Sequence, residues 1–126
     1  VDDDPVMVLL IENTLKAEGV RVLTATDGET ALRLARQEHP AIILLDNILP
    51  GVDGLGVCRI LRAEADPWLC DMPIVMLTGE KLLETDLVEA FAAGVTDYLT
   101  KPIKPTLLRA RIRAWLLRTS SGYTTA

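Results

Sequence analysis

Three observations predict an α/β fold in which a parallel sheet is covered by helices on both faces. Short runs rich in branched and aromatic residues alternate with longer segments of helical spacing. The short runs are nearly continuous in apolar residues, as strands buried on both faces are, and the connections between segments are short.

The elements follow in chain order. "PVMVLLIENTLKAEG" starts like a strand, with Val6, Met7 and Val8 in series. Asp4 followed by Pro5 supplies an N-cap and a first-turn proline, and Gly19 supplies a stop, so the segment is expected to be a helix. "VRVLTA" (Val20 to Ala25) predicts a strand. "GETALRLARQEH" carries Ala31, Leu32 and Ala35 as an apolar stripe, with Thr26 or Asp27 available as the cap. "AIILLD" (Ala41 to Asp46), "PIVMLT" (Pro73 to Thr78) and "TDYLT" (Thr96 to Thr100) predict further strands. "GLGVCRILRAEA" and "LLETDLVEAFAAG" lie between them as helices, the second stopped by Gly94. "LLRARIRAWLLR" (Leu107 to Arg118) gives a last amphipathic helix whose arginines form its wet face. One domain over 1–118 is expected, with 119–126 as a frayed tail or the start of a linker. If Pro5 opens a helix, Asp2 to Asp4 sit where an earlier strand should end, and only Val1 remains of that strand. The first strand is therefore expected to be largely missing from this sequence, which begins without a methionine and is expected to be a piece of a longer or processed chain.

Composition narrows the function classes. Of 126 residues, 49% are apolar and 25% charged, an ordinary globular balance. The formal net charge of −5 argues against sequence-independent nucleic-acid binding, which needs a basic surface. Cys58 and Cys70 match no zinc or redox spacing and are expected to be free thiols in a reducing cytoplasm. His39 stands alone before Pro40, in a helix-to-strand turn, and provides neither a metal cluster nor a triad. No apolar run reaches the roughly 18 residues of a membrane span, and acids precede "VMVLLI" where a signal peptide would be basic.

Function is sought at the carboxyl ends of the strands, where open α/β sheets bind ligands. Asp2 and Asp3, Asp46, Thr78 and Lys101 all fall at such ends. Asp46 is the odd one: an aliphatic run ends on a carboxylate and then breaks into "NILPGVDG". Clustered carboxylates repel, and Lys101 with a hard divalent cation would offset that repulsion; Mg²⁺ suits a site of few carboxylates and several waters.

Together "VDDDP", "LLDNILPGVDG", "MLTG" and "DYLTKP" resemble the receiver domain of bacterial two-component response regulators, from Val1 to about Arg118. The resemblance implies a flavodoxin-like, doubly wound sheet of five parallel strands in the order 2-1-3-4-5. It implies that Asp46 accepts a phosphoryl group from a histidine kinase or phosphotransfer protein. Asp2 and Asp3 resemble the acidic pair that holds Mg²⁺, Asp3 directly and Asp2 through water, with Asp46 and the backbone carbonyl of Ile48 completing the protein's share. Thr78 resembles the switch hydroxyl, Lys101 the lysine that pairs with a phosphoryl oxygen, and Tyr98 the aromatic that turns inward on activation. A cis Lys101–Pro102 bond is implied in the same way. The domain would be a cytoplasmic regulatory unit, not a metabolic enzyme, that assists its own phosphorylation and dephosphorylation and controls an output domain or partner. It would make no direct nucleic-acid or membrane contact.

Departures from the family pattern are also legible. Thr96 stands where many members have a second acid, and "KPTLLRARIRAWLL" lacks the acids that often open the last helix, which weakens the expectation of a dimer built on cross-subunit ion pairs there. Gly79 replaces a common alanine. A pseudo-receiver without phosphotransfer is the rival reading, and the filled site positions oppose it. "GVDGLG" has the wrong glycine spacing for a dinucleotide fingerprint, and no phosphate loop is present. Haloacid-dehalogenase-type phosphatases need a second Asp two residues after the first, where this chain has Ile48.

Overall fold

The computed structural model describes residues 4–46, 53–79 and 84–124. Its elements are α1 (Pro5–Lys16), α2 (Gly28–Glu38), β1 (Ile43–Asp46), α3 (Gly54–Arg62), α4 (Pro67–Asp71), β2 (Ile74–Thr78), α5 (Glu84–Ala92), β3 (Asp97–Thr100) and α6 (Pro105–Thr124). Among the described residues, the sheet has three strands in the order β1-β2-β3, all parallel.

Caps decide where the helices begin. Asp4 accepts from the Val6 amide at 3.0 Å ahead of Pro5, which resolves the ambiguous first segment as helix. Asp27, not Thr26, caps α2, accepting from the Thr30 amide at 2.7 Å. Asp53 does the same for α3 through the Gly56 amide at 2.7 Å. Gly19 (φ 74°) and Gly94 (φ 104°) take the left-handed conformation that ends a helix, as their positions predicted. Short α4 is capped by Asp66 and was not expected; five residues are too few for a periodic pattern.

Strand alternation builds two cores. Ile43, Leu45, Ile74 and Met76 face a cluster with Leu32, Val57 and Leu61 from α2 and α3. Leu44, Val75, Leu77 and Leu99 face the opposite cluster with Ile11, Leu15, Leu108 and Ile112 from α1 and α6. The sheet is thus covered on both faces, and each fully buried aliphatic side chain contributes about 1.5–3 kcal/mol. Arg62 is a polar tie at the base of the first core. Its guanidinium donates to the carbonyls of Gly94 (2.9 Å), Cys70 (2.9 Å) and Met72 (2.6 Å) and to Thr96 Oγ1 (3.1 Å). Thr96 Oγ1 also accepts from the Ile74 amide at 2.9 Å, which gives a structural reason for a hydroxyl at this position.

Two expectations differ from what is seen. Val20–Ala25 is not a strand: it has no regular secondary structure, although Val20 and Val22 still pack on the second core. A strand exists only through a ladder, and among the described residues nothing pairs with this segment. The five-strand count is accordingly not seen among the described residues, and Val1, Asp2 and Asp3, on which the missing first strand was argued, lie outside them. At the other end, helix α6 runs through 119–124, expected to be a frayed tail or the start of a linker. Extending a formed helix fixes one residue per added hydrogen bond, a far smaller cost than starting one.

Candidate functional site

Parallel pairing puts the carboxyl ends of all three strands on one edge. In register, Asp46 lies opposite Leu77, and Thr78, one residue further along β2, lies opposite Thr100. Lys101 is the next residue after β3, and its amide donates to the Thr78 carbonyl at 2.6 Å. Three side chains that are distant in sequence are thereby fixed at one rim.

Their environments are unusual. Asp46 is only 6% exposed and Thr78 only 5%, two of the three buried polar residues in the described chain. Lys101 Nζ donates to Asp46 Oδ2 at 3.1 Å, so a cation accompanies the buried carboxylate. The Thr78 hydroxyl is buried and has no hydrogen-bond partner among the described residues. A buried hydroxyl left without any partner costs about 1–3 kcal/mol. Tyr98 is half-buried against the first core, packs edge-on against Phe91 with centroids 6.3 Å apart, and lines a small hollow with Thr78.

Of the expected site residues, Asp46, Thr78, Tyr98 and Lys101 are described; Asp2, Asp3 and Ile48 lie outside the described residues. Among the described residues, no group of three or more His, Cys, Asp or Glu side chains could hold a metal ion. The expected donor set, three carboxylates and a carbonyl, has the all-oxygen chemistry that Mg²⁺ takes. Lys101–Pro102 is cis. Among the described residues, no atom lies within 4 Å of where a Cβ at Gly79 would stand.

Elsewhere the isolated side chains have structural work. His39, in the left-handed conformation at the end of α2, contacts Asp66 at 2.7 Å. That hydrogen bond holds the Asp66 carboxyl below its ordinary value. Both cysteines are free, and burial pushes the Cys58 thiol up. The late arginines do more than face water: Arg111 pairs with Asp97 at 2.6 Å, and Arg113 pairs with Glu18 of the α1 terminus at 2.7 Å. Sequence reasoning missed these ties and the role of Arg62, because their partners lie 8 to 95 residues away and no local pattern announces them.

Comparison with known proteins agrees with this geometry. The model of the response regulator receiver domain family matches residues 1–113. The DNA-binding response regulator MtrA of Mycolicibacterium smegmatis is 42% identical over 118 residues, covering 94% of this chain and 49% of that protein. The probable transcriptional regulator ycf27 of Galdieria sulphuraria is 40% identical over 122 residues, covering 97% of this chain and 46% of that one. This chain spans about half the length of these curated relatives. Among solved structures, a putative response regulator from Chloroflexus aurantiacus superposes with a TM-score of 0.85 at 34% identity, covering 93% of both chains. The receiver domain of the sensor histidine kinase PA1611 from Pseudomonas aeruginosa, solved with a magnesium ion coordinated in its active site cleft, gives a TM-score of 0.81 at 36% identity over 91% of this chain and 92% of that one. With the strand-end carboxylate, hydroxyl and lysine gathered on one rim, the chain belongs to the response regulator receiver domain family of two-component signalling.

Proposed function

We propose that Asp46 is the phosphoacceptor of this receiver domain and that a histidine kinase or phosphotransfer protein is its donor. The observation that carries the reading is the pairing of a buried Asp46 with Lys101 at 3.1 Å, on the same rim as a buried Thr78 hydroxyl that has no hydrogen-bond partner among the described residues. An Asp46 carboxylate oxygen attacks the phosphorus in line, the bond from phosphorus to the donor's imidazole nitrogen breaks with its electron pair going to nitrogen, and an acyl phosphate forms. Such a transfer needs positioning and charge neutralisation more than a strong base. Lys101 pairs with one phosphoryl oxygen, and the Thr78 hydroxyl donates to another. Asp2, Asp3, Asp46 and the Ile48 carbonyl would hold Mg²⁺, Asp3 directly and Asp2 through water. Bound there, the ion would supply positive charge that neutralises the phosphoryl oxygens.

In this reading the domain assists its own phosphorylation and dephosphorylation. Recruitment of Thr78 frees room for Tyr98 to turn inward, which biases the rim between two arrangements. The receiver unit is 1–118, with the residues after it leading toward an output domain, and the sheet is completed to five strands in the order 2-1-3-4-5. The output relays the signal; nucleic-acid contact falls to it and not to this acidic domain, with its net charge of −5. No helix of the described residues is long and apolar enough to cross a membrane, in keeping with a cytoplasmic location.

Intact-mass analysis with acetyl phosphate and Mg²⁺ tests the assignment. Wild type is expected to gain one phosphoryl group and Asp46→Asn none; full labelling of the variant would refute it.

A further inference from the structure

Among the described residues, three take the left-handed conformation: Gly19, Gly94 and His39 (φ 46°), which stops α2. Glycine adopts it without steric cost, whereas a side chain there is uncommon. The imidazole at this position is closely held. Its Nε2 lies 2.7 Å from Asp66 Oδ2, and the ring meets Trp68 edge-on with centroids 6.2 Å apart. Asp66 uses its other oxygen, Oδ1, to cap α4 through the Trp68 amide at 2.9 Å. The Trp68 indole in turn donates to the Pro40 carbonyl at 2.9 Å. Two side-chain bonds thus tie α4 to the chain leaving α2, close to where β1 and β2 begin and the Ile43 amide donates to the Pro73 carbonyl at 3.0 Å. A helix of five residues does not hold itself in water, so these ties and the burial of Leu69 keep α4 formed.

We propose that His39 and Asp66 form a proton-operated latch: protonation of the imidazole tightens α4 against the end of α2, and loss of that proton loosens it. Histidine is the side chain whose charge ordinarily changes between about pH 5 and 8, and His39 is the only one in the chain. Beside an ionised carboxylate, a neutral imidazole offers a hydrogen bond alone, whereas an imidazolium adds its charge. Asp66 stays ionised through that range, because the His39 bond holds its carboxyl below the ordinary value. The other charged groups on the elements packed here are Arg36 and Glu38 on α2, with Arg21 beside Glu38, Arg62 and Glu64 at the end of α3, and Asp71 on α4. All belong to classes that ordinarily titrate outside the range. Both latch side chains are more than two-fifths exposed, 45% and 41%, so the effect is a modest one. The latch lies at the opposite end of the strands from Asp46 and needs nothing proposed for that rim.

Amide hydrogen exchange of the whole chain at about pH 7.5 and about pH 5.5, corrected for the intrinsic pH dependence of exchange, tests it. The amide to follow is that of Cys70, which donates to the Asp66 carbonyl at 3.0 Å across the turn of α4. Its protection in wild type should rise roughly two- to fivefold at the lower pH. His39→Asn suits a left-handed backbone and removes the titrating ring; Asp66→Asn keeps a cap acceptor and removes the charge. Each should abolish the rise. The proposal is overturned by no rise in wild type, or by a rise of the same size in either variant. An equal rise at the amides of α1 and β2 would assign the effect to the whole fold and overturn it as well.

Discussion

Thr78→Val separates a hydroxyl kept for a phosphoryl group from one that merely helps the fold. The substitution preserves the branched shape of a side chain at the end of β2, where valine is favoured in strands. It deletes a hydroxyl that is buried and has no hydrogen-bond partner among the described residues. Mutational data price that condition at about 1–3 kcal/mol, and part of it returns as local relaxation, so the unphosphorylated variant should be more stable by about 1 kcal/mol. For a chain of 126 residues, that corresponds to a rise in Tm of about 4 °C. With acetyl phosphate and Mg²⁺ the order should reverse. Wild type gains a hydrogen bond to a charged oxygen, worth about 1.5–3 kcal/mol, and the variant cannot make it. Thermal unfolding followed by circular dichroism, with and without phosphodonor, measures both effects. A fall of several degrees in the unphosphorylated variant would show that the hydroxyl is already bonded in the resting state and would refute the argument.

Three more outcomes are expected. Gly94→Ala should destabilise by about 1–3 kcal/mol in urea unfolding, because the residue has φ 104° and its new Cβ would lie 2.6 Å from Arg62 Cγ, on a side chain fixed by its own hydrogen bonds. Gly79→Ala, whose Cβ meets no atom of the described residues within 4 Å, should be neutral or stabilising by up to about 1 kcal/mol in the same assay. The Asp27 carboxyl is held below its unfolded value of 3.8, first by the Thr30 amide. A depressed carboxylate contributes stability that is present above the unfolded value and is lost as pH falls through the folded one. Asp27→Asn retains a cap acceptor and should therefore lose less Tm than wild type on acidification below about pH 4.

How much could be read from the sequence divides along the range of the forces involved. Asp4, Asp27 and Gly94 act within a few residues, and the helix ends they predict are the ones observed. β1 and β2 are legible because residues buried on both faces are apolar in nearly unbroken runs, whereas β3 is mostly half-buried or exposed and reads as a strand from its aromatic and branched residues, Tyr98, Leu99 and Thr100. Val20–Ala25 has the same local signal and no ladder among the described residues, since pairing is a property of two segments and not of one. The same limit hid Arg62, whose side chain looks like any helix arginine until Gly94, Cys70 and Met72 are folded against it. For the site, strand ends place Asp46, Thr78 and Lys101 together from order alone, while the burial of the Thr78 hydroxyl required coordinates.

The Asp46–Lys101 pair is poorly explained as a stabilising feature. Desolvating two charges costs about as much as their attraction returns, and an apolar pair of similar volume often serves a fold as well or better. Its asymmetry is more informative: the carboxylate side chain is 8% exposed, whereas the ammonium side chain is 27% exposed. Depth keeps Asp46 rigid at the end of a four-residue strand with every residue buried. Access at the rim keeps Lys101 reachable by an anion from solvent. The lysine is held there by its own amide, which donates to the Thr78 carbonyl at 2.6 Å, so one residue ties the cation to the strand bearing the Thr78 hydroxyl. An incoming phosphoryl group would meet a lysine that can exchange a carboxylate oxygen for a phosphoryl oxygen without leaving its place. The positive charge is thus set in advance of the transfer, and reorganisation in the reacting step is correspondingly small.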